Sequence, residues 1–262
     1  MFVARLEDNI NKYEFGFLGA KFRVHKDWKH FFENICLECI EKNIRRDKIT
    51  PSKENIFKVF EKLGPKDIKV VIIGQDPYPQ PNIATGRAFE VKELNSWLIP
   101  FRQATLRNIL KMLYNWHDSK KNKKASRLEK IEIIKNAIEK KDYNILPPDK
   151  VFDYWEKQKI FLLNFALTYR MGNCDSGDSH LMYWKDFNYK LVRCLSKINK
   201  NIVWLLFGKV NEENNWIIKQ NAFYIAHPSD RRGINPKDLE KIRQFFDISV
   251  KKHKIDWLGG NL

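Results

Sequence analysis

The chain contains no apolar run that approaches the roughly 18 residues of a membrane-spanning helix, and its first residues do not resemble a signal peptide. These absences argue against an integral membrane protein and against secretion. We therefore expect no membrane partner and a cytoplasmic protein, associated with the nucleoid if the organism is bacterial.

Cysteine is also scarce, with four residues in 262, and their spacing is too uneven for a disulfide-stabilised secreted scaffold. Cys36 and Cys39 are separated as cluster ligands often are, which leaves an iron–sulfur cluster as the less favoured alternative. Both lie at helical spacing with apolar residues such as Phe32 and Ile40, which favours small residues on a buried helix face. We expect reduced thiols, no metal and no cofactor.

Acidic residues are fewer than basic ones. The chain has 32 Asp and Glu and 48 Lys and Arg, and its formal net charge is +16. Such a charge suits a polyanionic partner, and nucleic acid is the first candidate. Residues 119–127 are basic and of low complexity, so a basic helical insertion is expected at about 115–145. It is interpreted either as a solvated loop or as an arm that touches phosphates near the substrate.

Short apolar runs rich in β-branched residues alternate with longer amphipathic segments, which predicts an α/β fold. The predicted strands are Ile68–Ile73, Ile160–Leu163, Ile202–Phe207 and Ala222–Ala226. The predicted helices between and after them are Thr105–Tyr114, Leu128–Lys140, Trp184–Ser196, Glu212–Lys219 and one that follows Pro236. We expect a single three-layer α/β/α domain over residues 1–262, with a central four-stranded, mainly parallel sheet covered on both faces.

The region ahead of the first predicted strand carries two more helical patterns, Trp28–Lys42 and Lys53–Leu63. Residues 1–64 are therefore expected to form a helical N-terminal part of the same domain.

Polar residues follow each predicted strand at the point where the strand ends. The ends read Gly74 to Tyr78, then Asn164, then Gly208-Lys209, then His227 to Ser229. Because ligands of open α/β sheets bind outside the carboxyl ends of the strands, these residues are expected to converge on one site.

Several of these segments together resemble the uracil-DNA glycosylase superfamily, and most closely its first family. The segments that carry the resemblance are Gly74-Gln-Asp-Pro-Tyr78, Gly86-Arg-Ala-Phe89, Leu162-Leu-Asn-Phe-Ala-Leu-Thr168, Ser179-His180, Trp184, Leu205-Leu-Phe-Gly208 and His227-Pro-Ser229. The resemblance spans residues 68–250 and implies a monomeric, metal-free enzyme that hydrolyses the N-glycosidic bond of a uracil flipped out of DNA. The implied context is base excision repair of DNA damage, with an abasic site as product.

The resemblance also implies a role for each matched residue. Asp76 is the implied catalytic carboxylate, which stabilises a cationic deoxyribose and orients water, and His227 donates a hydrogen bond to the base oxygen. The implied base-binding residues are Gln75 through its backbone, Tyr78 against C5, Phe89 by stacking and Asn164 at the Watson–Crick edge.

The implied DNA-binding residues lie on three further segments. They are Pro100, Thr105, Gly208, Lys209, Ser229, Arg231 and Arg232. Arg231 stands where the first family usually carries the leucine that fills the gap left by the flipped nucleotide, and Lys209 stands where serine is common.

Pro79 also departs from the family pattern, which usually has histidine after the tyrosine, although poxviral members resemble this chain there. These departures from the family pattern keep two alternative functions open. One is a glycosylase for a modified pyrimidine in foreign DNA such as phage DNA, and the other is a DNA-binding homologue without turnover.

Overall fold

Strands and helices alternate along the chain in the computed structural model, which describes residues 11–120, 127–172, 178–208, 214, 217–228 and 234–260. In chain order the elements are β1 Lys12–Phe17, β2 Ala20–His25, α1 Lys29–Glu33, α2 Leu37–Ile44, β3 Ile49–Thr50, β4 Val70–Gly74, α3 Ala104–Asp118, α4 Ile131–Glu139, α5 Pro148–Lys157, β5 Ile160–Asn164, β6 Tyr169–Arg170, α6 Leu181–Ile198, β7 Val203–Phe207, β8 Ala222–Ile225 and α7 Pro236–His253.

The central sheet has the strand order β5-β4-β7-β8, and every neighbouring pair is parallel. The first three strands in this order are buried along their whole length, because side chains from both faces pack into a core. This is why they appear in the sequence as continuous apolar runs. The predicted α/β class, the parallel sheet and all four strand positions are confirmed.

Two apolar cores cover the two faces of this sheet, as the three-layer prediction requires. On one face Val71 and Leu206 pack with the β1–β2 hairpin and with α1, α2 and α6. On the other face Ile72 and Leu205 pack with α3, α5 and α7. Alternate residues of each strand therefore serve different layers, as the pleat dictates.

The helices α3, α4, α6 and α7 lie where helical patterns were predicted. Half of the predicted helix Glu212–Lys219 lies outside the described residues, as do residues 121–126 of the basic segment, and the described residues 217–219 are not helical. Helix α5 and the short β3–β6 ladder were not predicted from the sequence. No helix among the described residues is long and apolar enough to span a bilayer.

The prediction of a helical N-terminal part is wrong in large part. From residue 11, where the described part of this region begins, the chain forms the β1–β2 hairpin, whose alternating Tyr13, Phe15 and Phe17 turn toward one core. The pattern Lys53–Leu63 forms two short 3-10 turns rather than an α-helix. Its buried apolar residues are Ile56, Phe57, Val59, Phe60 and Leu63, a spacing that fits a period of three as well as one of 3.6, so the pattern did not distinguish the two kinds of helix.

The expectation of reduced thiols on a buried helix face is also wrong for Cys36 and Cys39. These two residues form a disulfide, with Cα atoms 5.4 Å apart, and both are exposed. The pattern Trp28–Lys42 breaks into α1 and α2, and Cys36 caps α2 with non-helical dihedrals. The break turns the thiols outward, so helical spacing did not translate into a shared buried face. Cys194 is a half-buried free thiol.

Gly86 has a backbone conformation, with φ of 90°, that is strained for any residue with a side chain. A Cβ at this position would also collide with the carbonyl oxygen of Asn55. We expect Gly86→Ala to lower the free energy of unfolding by roughly 2–4 kcal/mol, measured by urea denaturation. Gly19→Ala is the matched control, because Gly19 has φ of 72° but open space around its Cα, so only the dihedral cost of about 1–2 kcal/mol applies. Equal losses in both variants would contradict the steric explanation.

Candidate active site

A cavity of about 200 Å³ opens at the carboxyl edge of the sheet. Its walls come from the end of β5, from β6, from the segments that follow β4 and β8, and from the α3 N-terminus. The lining residues are Gln75, Asp76, Pro77, Tyr78, Pro79, Ala84, Arg87, Phe89, Thr105, Asn164, Tyr169 and His227. The cavity is smaller than the ~300–1,000 Å³ of pockets for drug-sized ligands, so it suits a single base-sized group.

The structure brings together every residue that the sequence analysis assigned to catalysis or base binding. They are Gln75, Asp76, Tyr78, Phe89, Asn164 and His227. Of the assigned DNA-binding residues, Thr105 lines the same cavity and Gly208 lies against His227, whereas Pro100 lies in a neighbouring cleft. Lys209, Ser229, Arg231 and Arg232 lie outside the described residues.

Asp76 is held by two side-chain donors. Ser179 Oγ donates to Asp76 Oδ1 at 2.5 Å, and Gln75 Nε2 donates to Oδ2 at 2.9 Å. Burial raises the pKa of Asp76 above its ordinary value, and the hydrogen bonds from Ser179 and Gln75 offset part of that effect. The carboxylate is therefore a fixed, partly desolvated negative charge at the cavity wall.

A buried chain of hydrogen bonds lies behind Ser179. His180 Nδ1 is 2.9 Å from Thr168 Oγ1, His180 Nε2 is 3.1 Å from Asp47 Oδ2, and Trp184 Nε1 donates to Thr168 Oγ1 at 2.7 Å. Burial lowers the pKa of His180, although Asp47 opposes this. A neutral ring that donates from Nε2 to Asp47 and accepts the Thr168 hydroxyl proton satisfies all of these groups. The network fixes the backbone that carries Ser179.

Asn164, the last residue of β5, presents its amide beside the ring of Phe89. A Cβ on Gly74 would approach within 2.9 Å of Phe89 Cζ and 3.0 Å of Asn164 Oδ1, so the ring and the amide both lie against the bare backbone of this glycine. Asn164 is only 6% exposed, and within the described part of the chain its amide has no hydrogen-bonding partner. The residue lines the cavity, so its amide can hydrogen-bond a ligand there.

Phe89 is held in a left-handed backbone conformation, with φ of 70°, and its ring packs edge-on against Phe207 at 5.5 Å. Arg87, two residues earlier, is buried and contacts Glu90 at 2.5 Å and Asp153 at 2.7 Å. Burial alone would lower the pKa of Arg87, but Glu90 and the other nearby carboxylates leave it raised. These contacts keep the Phe89 loop in place at a cavity wall.

Tyr78 and His227 complete the walls. Tyr78 Oη donates to the carbonyl oxygen of Phe89 at 3.1 Å, and burial raises the pKa of Tyr78 well above its ordinary value, so the phenol is neutral. The segment that carries His227 is anchored on both sides. The backbone N–H of Ala226 donates to Asp238 Oδ2 at 3.2 Å, and Asn108 Nδ2 donates to the carbonyl oxygen of Pro228.

Sequence reasoning missed several residues of the site. Ser179 and Arg87 lie inside matched segments, but no role was assigned to them. Tyr169 also lines the cavity, and neither periodicity nor spacing singles it out. Its position follows from the short β3–β6 ladder, a long-range pairing that two residues per strand do not reveal in a sequence.

The cavity thus combines one anionic group, one imidazole, one unpartnered amide and aromatic walls. Such a set can stabilise positive charge on one side of a bound molecule and read the edge of a flat polar ring on the other. Among the described residues no group of three or more His, Cys, Asp or Glu side chains is arranged to hold a metal ion.

The fold and the cavity define an α/β protein with a ligand site at the carboxyl edge of a parallel sheet. Residues 61–247 match the profile of the Uracil DNA glycosylase superfamily. This match covers more than half of the chain, and the chain belongs to that superfamily.

Individual relatives agree with this assignment. The chain is 29% identical over 250 residues to a uracil-DNA glycosylase of Clostridium perfringens (strain SM101 / Type A), covering 89% of this chain and 92% of the relative. The crystal structure of a wild-type UNG from Nitratifractor salsuginis superposes with a TM-score of 0.57 at 20% identity, covering 87% of this chain and 92% of that one. The mimivirus uracil-DNA glycosylase superposes with a TM-score of 0.56 at 22% identity, covering 79% and 70%. The two structures establish the likeness of fold.

Proposed function

We propose that this protein is a DNA glycosylase that hydrolyses the N-glycosidic bond of uracil flipped out of DNA, leaves an abasic site and acts in base excision repair. The observation that carries the proposal is the meeting of Asp76, Asn164, Phe89 and His227 around one base-sized cavity. The similarity to a uracil-DNA glycosylase over most of the chain adds to it.

The proposed chemistry begins with cleavage of the bond between base and sugar. Positive charge develops on the deoxyribose as that bond breaks, and the Asp76 carboxylate stabilises it. Because the carboxylate is partly desolvated and already oriented by Ser179 and Gln75, little reorganisation is needed during the reaction. Asp76 also orients the water that attacks C1′.

The leaving base becomes anionic, and His227 is proposed to donate a hydrogen bond to its oxygen. A neutral imidazole can act as this donor. Gly208 supports the geometry, because a Cβ there would lie 3.4 Å from His227 Cβ, so the strand end can pass close to the imidazole. The anchored segment around His227 then holds the donor toward the cavity.

Base selection is assigned to three residues. The amide of Asn164 offers an acceptor for uracil N3–H and a donor for O4, whereas cytosine presents the reverse pattern. Phe89 stacks on the ring, a contact worth about 1–3 kcal/mol in other proteins. Tyr78 crowds C5 and excludes the thymine methyl group.

Thr105 is proposed to bind a phosphate at the start of α3, and Gly208 to contact the backbone near His227. Arg231 would fill the gap left by the flipped nucleotide, with Lys209 and Arg232 adding positive charge. We propose that the protein acts as a monomer on DNA, without a metal or cofactor.

The test is a strand-scission assay on single- and double-stranded oligonucleotides with one uracil, followed by alkaline cleavage. Uracil-dependent cutting is expected on both. Cutting confined to a modified pyrimidine would overturn the uracil assignment, and tight binding without cutting of any base would favour a non-catalytic homologue.

A pH profile tests the role of Ser179. The Ser179→Ala variant loses a hydrogen bond that lowers the pKa of Asp76, so that pKa should rise further. Activity needs the ionised carboxylate and is lost as pH falls through its pKa, so the acid limb of kcat should move to higher pH. The control is Ser196→Ala, which changes a partly exposed serine on α6 whose hydroxyl donates to the carbonyl oxygen of Arg193, and it should leave the profile unchanged. An unshifted limb in Ser179→Ala would refute the role.

A further inference from the structure

A second cleft lies beside the active-site cavity, between α3, α4 and the loop that precedes α3. Its volume is about 480 Å³. Four cationic side chains line it, namely Arg107, Lys111, Lys130 and Lys135, against a single carboxylate, Glu132. The cleft is therefore strongly positive. Lys130 and Lys135 belong to the basic helical insertion predicted at about 115–145, no described residue of which lines the active-site cavity.

Two of these cations hold the cleft in shape. Lys135 Nζ donates to the carbonyl oxygens of Leu98 at 2.8 Å and Ile99 at 3.1 Å, so α4 is tied to the loop before α3. Arg107 Nη1 donates to the carbonyl oxygen of Phe101 at 2.9 Å. The loop is thus fixed from both helices, and the cleft is a preformed feature.

The other two cations remain available to a ligand. Lys111 and Lys130 make no ion pair within 4.0 Å among the described residues, and neither side chain takes part in a hydrogen bond there. Lys111 lies on α3 and Lys130 immediately precedes α4, and both line the same cleft. Such a pair can neutralise negative charge on one extended polyanion.

The cleft and the active-site cavity are both lined by α3. Thr105 lines the cavity, and Arg107 and Lys111 line the cleft two and six residues further along the same helix. Beside the cleft, where Lys135 bonds its carbonyl oxygens, the loop exposes apolar side chains, since Leu98 and Ile99 are each 42% exposed. An apolar edge beside lysines suits a nucleic-acid strand, which alternates sugars with phosphates.

We propose that this cleft binds backbone phosphates of the DNA strand outside the flipped nucleotide, through Lys111 and Lys130. The assignment rests on the proposed function, because it takes the cavity to hold a base of the same DNA. It gives the basic segment a function as an extension of the DNA-binding face. The ligand chemistry is a phosphodiester chain, which neither lysine needs to read by sequence.

The first experiment measures equilibrium binding of a fluorescent, uracil-free 24-base-pair duplex by anisotropy at several salt concentrations. In the Lys111→Ala/Lys130→Ala variant we expect affinity to fall at least about tenfold near 0.1 M salt, and the slope of log K against log salt to shrink by about 2. The control is Lys197→Ala/Lys200→Ala, which removes two exposed lysines near the end of α6, at the opposite edge of the sheet. Equal losses in the two double variants would overturn the proposal.

A gain-of-affinity variant guards against misfolding as the explanation. Glu132→Gln removes the only carboxylate lining the cleft among the described residues and should tighten duplex binding about two- to threefold. Glu139→Gln, at the end of the same helix and outside the cleft, should change affinity less. Equal tightening by both variants would contradict a local site.

The duplex measurement separates this proposal from the glycosylase activity. If no base is ever released but the lysine pair governs duplex affinity, the phosphate cleft stands and the proposed reaction fails. If uracil is released and the lysine pair leaves both duplex affinity and KM unchanged, the cleft proposal fails alone. Preferential binding of an acidic peptide over the duplex would also overturn it.

Discussion

Replacing Asp76 by asparagine is expected to reduce kcat for uracil release by about 10²–10⁴-fold, because the variant loses the anion that stabilises the cationic sugar. The side chain keeps its shape, and Ser179 can still donate to its oxygen. Affinity for DNA containing uracil should therefore be retained or should increase, since a negative charge near the phosphates is removed. Single-turnover cleavage and anisotropy on the same oligonucleotide measure the two quantities.

The matched control is Asp186→Asn, which makes the same chemical change at a side chain of α6 that is 74% exposed. It should leave kcat unchanged. A fall in kcat of tenfold or less in Asp76→Asn would remove Asp76 from its catalytic role. Loss of DNA binding together with activity would instead indicate that the substitution disturbs the fold.

Replacing Asn164 by aspartate is expected to relax the discrimination between uracil and cytosine. Asn164 is almost fully buried, so burial should raise the pKa of an introduced carboxyl and keep it protonated. A protonated carboxyl can carry its proton on either oxygen, so it can donate to cytosine N3 and accept from the amino group, or accept uracil N3–H and donate to O4. We expect cytosine release to become detectable and the ratio of uracil to cytosine release to fall on the order of 10²-fold or more.

Release of each base from otherwise identical single-stranded oligonucleotides measures this change. Asn188→Asp is the control, since Asn188 is fully buried on α6 at a distance from the cavity walls. It should lower stability without creating cytosine activity. Unchanged base preference in Asn164→Asp would refute the assignment of base reading to this residue.

The disulfide and the hairpin show where local patterns misled the sequence analysis. The spacing of Cys36 and Cys39 with Phe32 and Ile40 fits one continuous helix. The helix instead ends at Glu33, and both sulfurs turn to solvent. Helical spacing states which residues would share a face if the helix were continuous. Whether it is continuous depends on what the chain packs against.

The candidate site shows the same division between local and long-range information. Gly74 to Tyr78 could be placed from the sequence, because a buried strand followed by a polar turn is a local signal. The hydrogen bond from Ser179 to Asp76 joins residues 103 positions apart, and the contact of Arg87 with Asp153 joins residues 66 apart. Pairings of this kind leave no periodic trace in a sequence.

The amino-acid sequence by itself determined the α/β class, the four parallel strands and the polar residues at their carboxyl ends. These features follow from periodicity and from the geometry of parallel sheets, which act over a few residues at a time. Only the tertiary structure decided how the site is supported and bounded. It brought Ser179 within hydrogen-bonding distance of Asp76, placed Phe89 and Asn164 against Gly74, and joined α4 to the loop at Leu98. Such contacts exist only once distant segments are packed together.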